Sequence, residues 1–419
     1  MELDDMILIS IDDHVVEPPD MFEGHVPERY RADAPKVVRT DEGIERWEFQ
    51  GIEAGNMGLN AVVTWPKEEW GMDPTAFAEM RPGAFDVHER VRDMNRNGVF
   101  ASMCFPSFAG FNAGTFLRAD DKDLALVMLR AYNDWHVDEW CAAYPGRFIP
   151  LCLLPTWNQD AMVEEIHRVA GKGCAAVTMP ELPYLDELPS YHDLDYWGPV
   201  FGAMSDEQVV MCLHIGQGYN AIRIAPDAPI DNMIILATQV SAFAAQDMLW
   251  GPAFKTFPDL KVAWSEAGIG WIPFFLDRCD RHFLNQRWLG HDFGGKLPSE
   301  VFRDHSLACY VSDPTALKVR HDIGIDIIAW ECDYPHSDSI WPDAPETVMR
   351  EMVGAAVPDD EIDKITWQNT CRHFRYDAFK HIPKEQATVG ALRALSPDVD
   401  TTVRSRKEWV ERNAARLAS

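Results

Sequence analysis

Short apolar runs recur along the chain, each closed by a proline, a glycine or a polar group, and stretches with helical spacing separate them. The runs Met6–Ile11, Val99–Phe105, Phe148–Leu154, Cys174–Thr178, Val209–Leu213, Leu260–Trp264, Leu307–Val311 and Ile325–Trp330 read as eight buried strands. The intervening helices have sequence caps. Asp86 precedes Val87, Val91 and Met94, and Asn97-Gly98 ends that stretch. Asp120 or Asp121 starts a helix with the stripe Leu124, Val127, Met128, Ala131 and Trp135, and Asn158 starts one with Met162, Ile166 and Val169 inward. Eight strands alternating with helices indicate parallel α/β units, and over this length they fit a TIM barrel better than an open sheet. The predicted fold is a distorted TIM (β/α)8 barrel over 1–380. Residues 21–85 form a long insertion after strand one, and 381–419 form a helical C-terminal extension. The insertion is expected to fold over the barrel mouth, with one or more of Trp47, Trp65 and Trp70 near the pocket.

The polar groups that close the runs carry the candidate chemistry. The first run ends in Asp12-Asp13-His14 and the last in Cys332-Asp333-Tyr334-Pro335-His336. In a closed barrel the first and last strands are neighbours, so Asp12, His14 and Asp333 are expected at one mouth. A single strand ending in Asp is ordinary, because Asp favours turns; the two runs together carry the reading. Residues two apart on a strand share a side, which pairs Asp12 with His14 and turns Asp13 away. His214 ends strand five and Glu266 strand six. Imidazoles with carboxylates suit one divalent metal, zinc foremost, with manganese or iron(II) close behind. Arg223, in the loop after strand five, is a candidate grip for a substrate carboxylate, and Trp65 a candidate pocket wall.

Composition narrows the partners. The 419 residues carry a formal charge of −29, with 47% hydrophobic and 25% charged positions. Such acidity argues against nucleic acid and anionic membrane surfaces. No apolar run reads as long enough to span a bilayer. Nine cysteines without CxxC spacing read as buried reduced thiols and point to the cytoplasm. No GxGxxG after a strand, Walker sequence or GxSxG elbow is present.

Taken in order, Ile11-Asp12-Asp13-His14-Val15-Val16-Glu17-Pro18-Pro19-Asp20, Leu213-His214-Ile215-Gly216, Ser265-Glu266-Ala267-Gly268 and Cys332-Asp333-Tyr334-Pro335-His336 resemble the amidohydrolase-related metal-dependent hydrolases, which include the aminocarboxymuconate-semialdehyde decarboxylase-like enzymes. Asn369-Thr370-Cys371-Arg372 resembles that family's closing Asn-x-x-Arg helix, so the resemblance runs from about Ile7 to Tyr376. It implies one metal with Asp12, His14, His214 and Asp333 as ligands, a small-molecule substrate, and a homodimer or larger assembly. Two departures stand out. Asp12 replaces the first histidine of the usual His-x-His, and Glu266 stands where family decarboxylases usually carry histidine. A glutamate is normally ionised at neutral pH and a poor acid for carbon. The expectation is therefore a hydrolase: Asp333 takes a proton from metal-activated water, Glu266 assists, and His336 contacts the site. The alternatives are a nonoxidative decarboxylase of an aromatic or muconate-type acid, and a metal-binding protein without turnover.

Overall fold

The computed structural model describes residues 1–53, 57–58, 60–71, 74–216 and 225–414. The class is α/β with parallel sheets, and the chain divides into two compact units. One comprises Met1–Pro155, Cys332–Thr347 and Asp377–Ser419; the other comprises Thr156–Glu331 and Val348–Tyr376.

In the first unit, β1 (Leu8–Val15) is buried at every residue. It runs past the predicted end, so Asp12, Asp13 and His14 lie within the strand. The insertion is more regular than expected. It carries an antiparallel meander of β2 (Lys36–Arg39), β3 (Glu45–Phe49) and β4 (Ile52–Glu53). Trp47 and Phe49 alternate inward on β3 while Glu45, Arg46 and Glu48 stay partly exposed, the pattern of a half-buried strand. The Trp47 ring lies 4.6 Å from Phe108. The helix Val87–Asn97 begins where the Asp86 carboxylate accepts from the His88 and Glu89 amides. It ends at Gly98, whose φ of 70° is left-handed, where a glycine costs least. β5 (Val99–Pro106) pairs in parallel with β1, Leu8 opposite Val99 and Val15 opposite Pro106, with an irregularity between Ser10 and Asp13. β6 (Leu151–Leu153) follows the helix Lys122–Trp135, and the Asn133 side chain bonds both the Leu153 amide and carbonyl.

The C-terminal extension packs on the insertion. The Arg404 amide donates to the Thr64 carbonyl at 2.8 Å, Arg406 reaches Glu79 at 2.6 Å, and Trp409 is buried with Val62 and Trp65.

In the second unit, β7 (Ala176–Met179), β8 (Val210–His214), β9 (Val262–Ser265), β10 (Ser306–Tyr310) and β11 (Ile328–Trp330) form one parallel sheet in that order. Every residue of these strands is buried, as in sheets covered on both faces. The helix Asn369–His373 ties down the last strand: the Asn369 amide donates to the Ile325 and Ile328 carbonyls at 2.8 Å, and Arg372 donates to the Asp326 carbonyl. The helix Ile230–Trp250 corrects one sequence reading. By length and composition it could cross a membrane, though Ala237, Val240, Ala244 and Met248 are buried inside the protein. All nine cysteines are free thiols, eight of them buried.

Candidate metal centre

The site in the first unit is built by two segments held in register. The Asp333 amide donates to the Asp12 carbonyl and the His14 amide to the Tyr334 carbonyl, both at 2.7 Å. These bonds continue a ladder beside β1 and fix Asp12, His14 and Asp333 on neighbouring backbone. Asp333 itself has a φ of 56°. His336 then folds back one turn, its amide on the Asp333 carbonyl at 2.9 Å.

The side chains converge. His14 Nε2 lies 3.4 Å from an Asp12 oxygen and 3.3 Å from Asp333 Oδ1. His336 Nδ1 is 2.9 Å from the same Asp333 oxygen, and its ring stacks on His14 at 3.8 Å between centroids. All four residues are buried. Burial, then the negative charges of Asp333 and Asp13, push the Asp12 carboxyl well above the usual carboxylate range. Such a cluster fits a divalent cation. At metal–ligand distances of 2.0–2.2 Å, donors at a tetrahedral angle lie about 3.4 Å apart; the His14–Asp12 and His14–Asp333 separations match that spacing. One donor atom each from His14, Asp333 and His336 lies within 4.8 Å of the others.

Beneath this cluster lies a charged layer that the sequence reading did not assign a function. Asp13 Oδ1 accepts from Ser10 Oγ at 3.1 Å and the Tyr334 amide at 2.9 Å, and Oδ2 accepts from Ser102 Oγ. Arg90 donates to the His14 carbonyl and to the Gly83 carbonyl, with its guanidinium over the Tyr334 ring. The Tyr334 hydroxyl donates to Asp93 at 2.6 Å, and Arg81 grips both Asp93 oxygens at 2.7 Å. Glu17 accepts from the Ser107 and Phe108 amides, and burial pushes its carboxyl up to about 7. The Phe111 ring, on the loop after β5, lies 5.4 Å from the His14 ring.

The remaining predicted residues stand as follows. His214 ends β8, and its Nε2 lies 3.5 Å from a Glu266 oxygen. Glu266 follows β9 with a φ of 56°, its amide donating to Glu331 Oε1 at 3.1 Å. Trp65 is corrected from pocket wall to packing residue. Its indole N–H donates to the Glu79 carbonyl, and its ring is buried with Val62 and Trp409. Trp47 is likewise buried, against Phe22 and Phe108. The insertion does reach the Asp333 loop, through the Val63 amide on the Pro335 carbonyl at 3.0 Å and Asn60 on Ser337 at 2.6 Å. Arg223 lies outside the described residues.

A family model described as amidohydrolase matches residues 24–376. The chain belongs to this family. Among solved structures, an amidohydrolase from Mycobacterium avium subsp. paratuberculosis K-10 is 18% identical with a TM-score of 0.68, covering 88% of this chain and 99% of its own. A 2,6-dihydroxybenzoate decarboxylase from Rhizobium is 18% identical with a TM-score of 0.56, covering 89% and 99%. A 5-carboxyvanillate decarboxylase from Novosphingobium aromaticivorans DSM 12444, complexed with manganese and 4-hydroxy-3-methoxy-5-nitrobenzoic acid, is 16% identical with a TM-score of 0.57, covering 90% and 99%. No curated protein matches. The family and these likenesses give the fold as the distorted TIM barrel expected from the strand pattern.

Proposed function

We propose that this amidohydrolase is a metal-dependent nonoxidative decarboxylase of an aromatic carboxylic acid. The observation that carries the reading is the buried pair Asp333–His336, joined at 2.9 Å beside His14 and Asp12. It supplies a proton-holding group next to a cation-holding one, which this reaction needs. Two structurally similar proteins, named 2,6-dihydroxybenzoate decarboxylase and 5-carboxyvanillate decarboxylase, favour it over the hydrolase expected from the sequence.

Asp12, His14 and Asp333 would hold the metal, manganese or zinc by donor chemistry. His214 is proposed as a further ligand on its position at the end of β8. The bound ion would supply positive charge to fix the oxygens of an acidic substrate. His336, whose Nδ1 lies 2.9 Å from Asp333 Oδ1, would hold and deliver the proton. The bond between ring carbon and carboxylate breaks, its electron pair stays on the ring carbon, that proton is added there, and carbon dioxide leaves. His14 stacking on His336 holds the imidazole in one plane, which favours directional transfer. Phe111 beside His14 offers an aromatic face for a planar substrate.

The test is a panel of hydroxybenzoates given to the metal-loaded protein in deuterated water. Carbon dioxide release with one deuterium on the ring is the expected result. Incorporation of labelled water oxygen without carbon dioxide would establish the hydrolase instead.

A further inference from the structure

The second unit has a cavity of about 600 Å³ at the end of its sheet opposite His214 and Glu266. It opens where the strands begin: Lys261 precedes β9, Ser306 starts β10 and Ile327 precedes β11. Four cationic side chains line it, Lys261, Arg303, Arg372 and Arg375. In a chain of net charge −29 such a cluster is unexpected.

Their charges are not spent on carboxylates. Lys261 Nζ donates to the Asp304 backbone carbonyl at 2.5 Å. Arg303 donates to the Ile323 and Asp322 carbonyls at 2.8 and 2.7 Å. Arg372 donates to the Asp326 carbonyl and to the Asn369 amide oxygen. Among the described residues, none of the four forms an ion pair within 4.0 Å. Neutral carbonyls orient these cations without neutralising them. Of the three lining carboxylates, Asp304 is paired with Lys296 at 2.6 Å and Asp326 with Lys364 at 2.9 Å, and Asp304 and Asp259 both lie close enough to Lys261 to act on its charge. The field registers on the lining residue His373. Burial, then Lys261 and Arg372, drive its imidazole down to about 3.

We propose that this cavity binds a small multivalent oxyanion, a phosphate- or polycarboxylate-bearing molecule, at the end of the sheet opposite His214 and Glu266. Planar guanidinium groups bind both kinds of oxyanion through paired N–H donors, and the backbone contacts of Arg303 and Arg372 hold those groups in place before the anion arrives. The site is independent of the reaction proposed above, because none of its residues belongs to the metal centre.

The experiment titrates the metal-loaded protein with inorganic phosphate and, separately, with citrate, at ionic strength fixed with sodium chloride, and reads calorimetric heat and melting temperature. The expected result is saturable binding to at least one probe; the tighter probe identifies the headgroup. Arg375→Glu should weaken binding at least tenfold, because the guanidinium of the exposed Arg375 makes no hydrogen bond to the fold among the described residues. Arg46→Glu, on β3 in the other unit, should bind as the wild type does. In the wild type, the bound probe should also slow acetylation of Lys261, a reading that stands even where a variant fails to fold. Absence of saturable binding by both probes, or equal binding in wild type and Arg375→Glu, would overturn the proposal.

Discussion

Replacing Asp13 separates the packing of the metal centre from its chemistry. The carboxylate is buried and accepts three hydrogen bonds, from Ser10, Ser102 and the Tyr334 amide. The last of these ties β1 to the segment that carries Asp333. Hydrogen bonds to a charged group contribute about 1.5–3 kcal/mol each. The serines have second acceptors: Ser10 reaches the Asp12 carbonyl at 3.2 Å and Ser102 the Cys104 sulfur at 3.5 Å. The Tyr334 amide has no such fallback among its described contacts. Asp13→Ala should therefore cost about 3–5 kcal/mol, less than the full sum of three bonds. Asp13→Asn keeps an acceptor for Tyr334 and Ser10, and its amide can donate to the Ser102 hydroxyl. It also removes a buried charge whose pKa is raised chiefly by burial, so it should cost only about 1–2 kcal/mol. Urea unfolding measures the stability terms, and manganese titration measures the consequence for the site. With the Tyr334 amide released, the alanine variant should bind metal at least tenfold more weakly, about 1.4 kcal/mol, while the asparagine variant stays near wild type. Wild-type metal affinity in Asp13→Ala, or equal damage from both variants, would refute the account of Asp13 as the clamp on this segment.

Four further outcomes follow. His336→Gln should retain the metal yet lower turnover by about a hundredfold or more, the usual scale for a proton-transfer group; metal content and single-turnover rates check this. Glu266→Gln should keep metal content and leave turnover within about tenfold; a hundredfold loss with water incorporation would return Glu266 to the role of base in a hydrolase. His136 is fully buried, and burial holds its imidazole down at about 4, below its ordinary 6.5. The folded state keeps it neutral while the unfolded chain takes up a proton, so about 3 kcal/mol of stability present above pH 6.5 is lost as pH falls towards 4; His136→Phe should flatten that part of the stability–pH curve in chemical unfolding. Trp409→Ala should cost about 3–5 kcal/mol through the cavity left against Val62 and Trp65 and loosen residues 60–80, read by hydrogen exchange.

How much of this was legible in the sequence depends on the range over which each feature is decided. The eight strands are local: short apolar runs with a stop signal, and all eight form. Strand limits are less local. β1 continues through Asp12-Asp13-His14 because β5 lies alongside to Pro106, and no residue within the run announces that partner. The meander β2–β4 was missed although Glu45-Arg46-Trp47-Glu48-Phe49 alternates, since each strand is short and closed by turn residues. Arg90 was missed for a different reason. An arginine on a helix beside Val91 and Met94 reads as solvated, yet this one is buried because the carbonyls of Gly83 and His14 receive it. The bond of Tyr334 to Asp93 spans 241 positions, a distance at which spacing and periodicity carry no signal.

The proposed preference for decarboxylation over hydrolysis rests, by contrast, on a local arrangement, His336 three residues beyond Asp333. Strand six ends in a glutamate where family decarboxylases usually carry histidine, and an ionised glutamate protonates carbon poorly, which by itself favours water activation. Glu266 excludes decarboxylation only if the imidazole must come from strand six. The chain instead places one three residues beyond Asp333, where the turn after β11 returns His336 to the same carboxylate at 2.9 Å. On the proposed reading, proton delivery by His336 needs nothing from Glu266, whose amide is bonded to Glu331 and whose carboxylate faces His214. Under the proposed decarboxylase reading, the glutamate is a partner for an imidazole at the end of the sheet, and the acid is assigned to His336 beside Asp333.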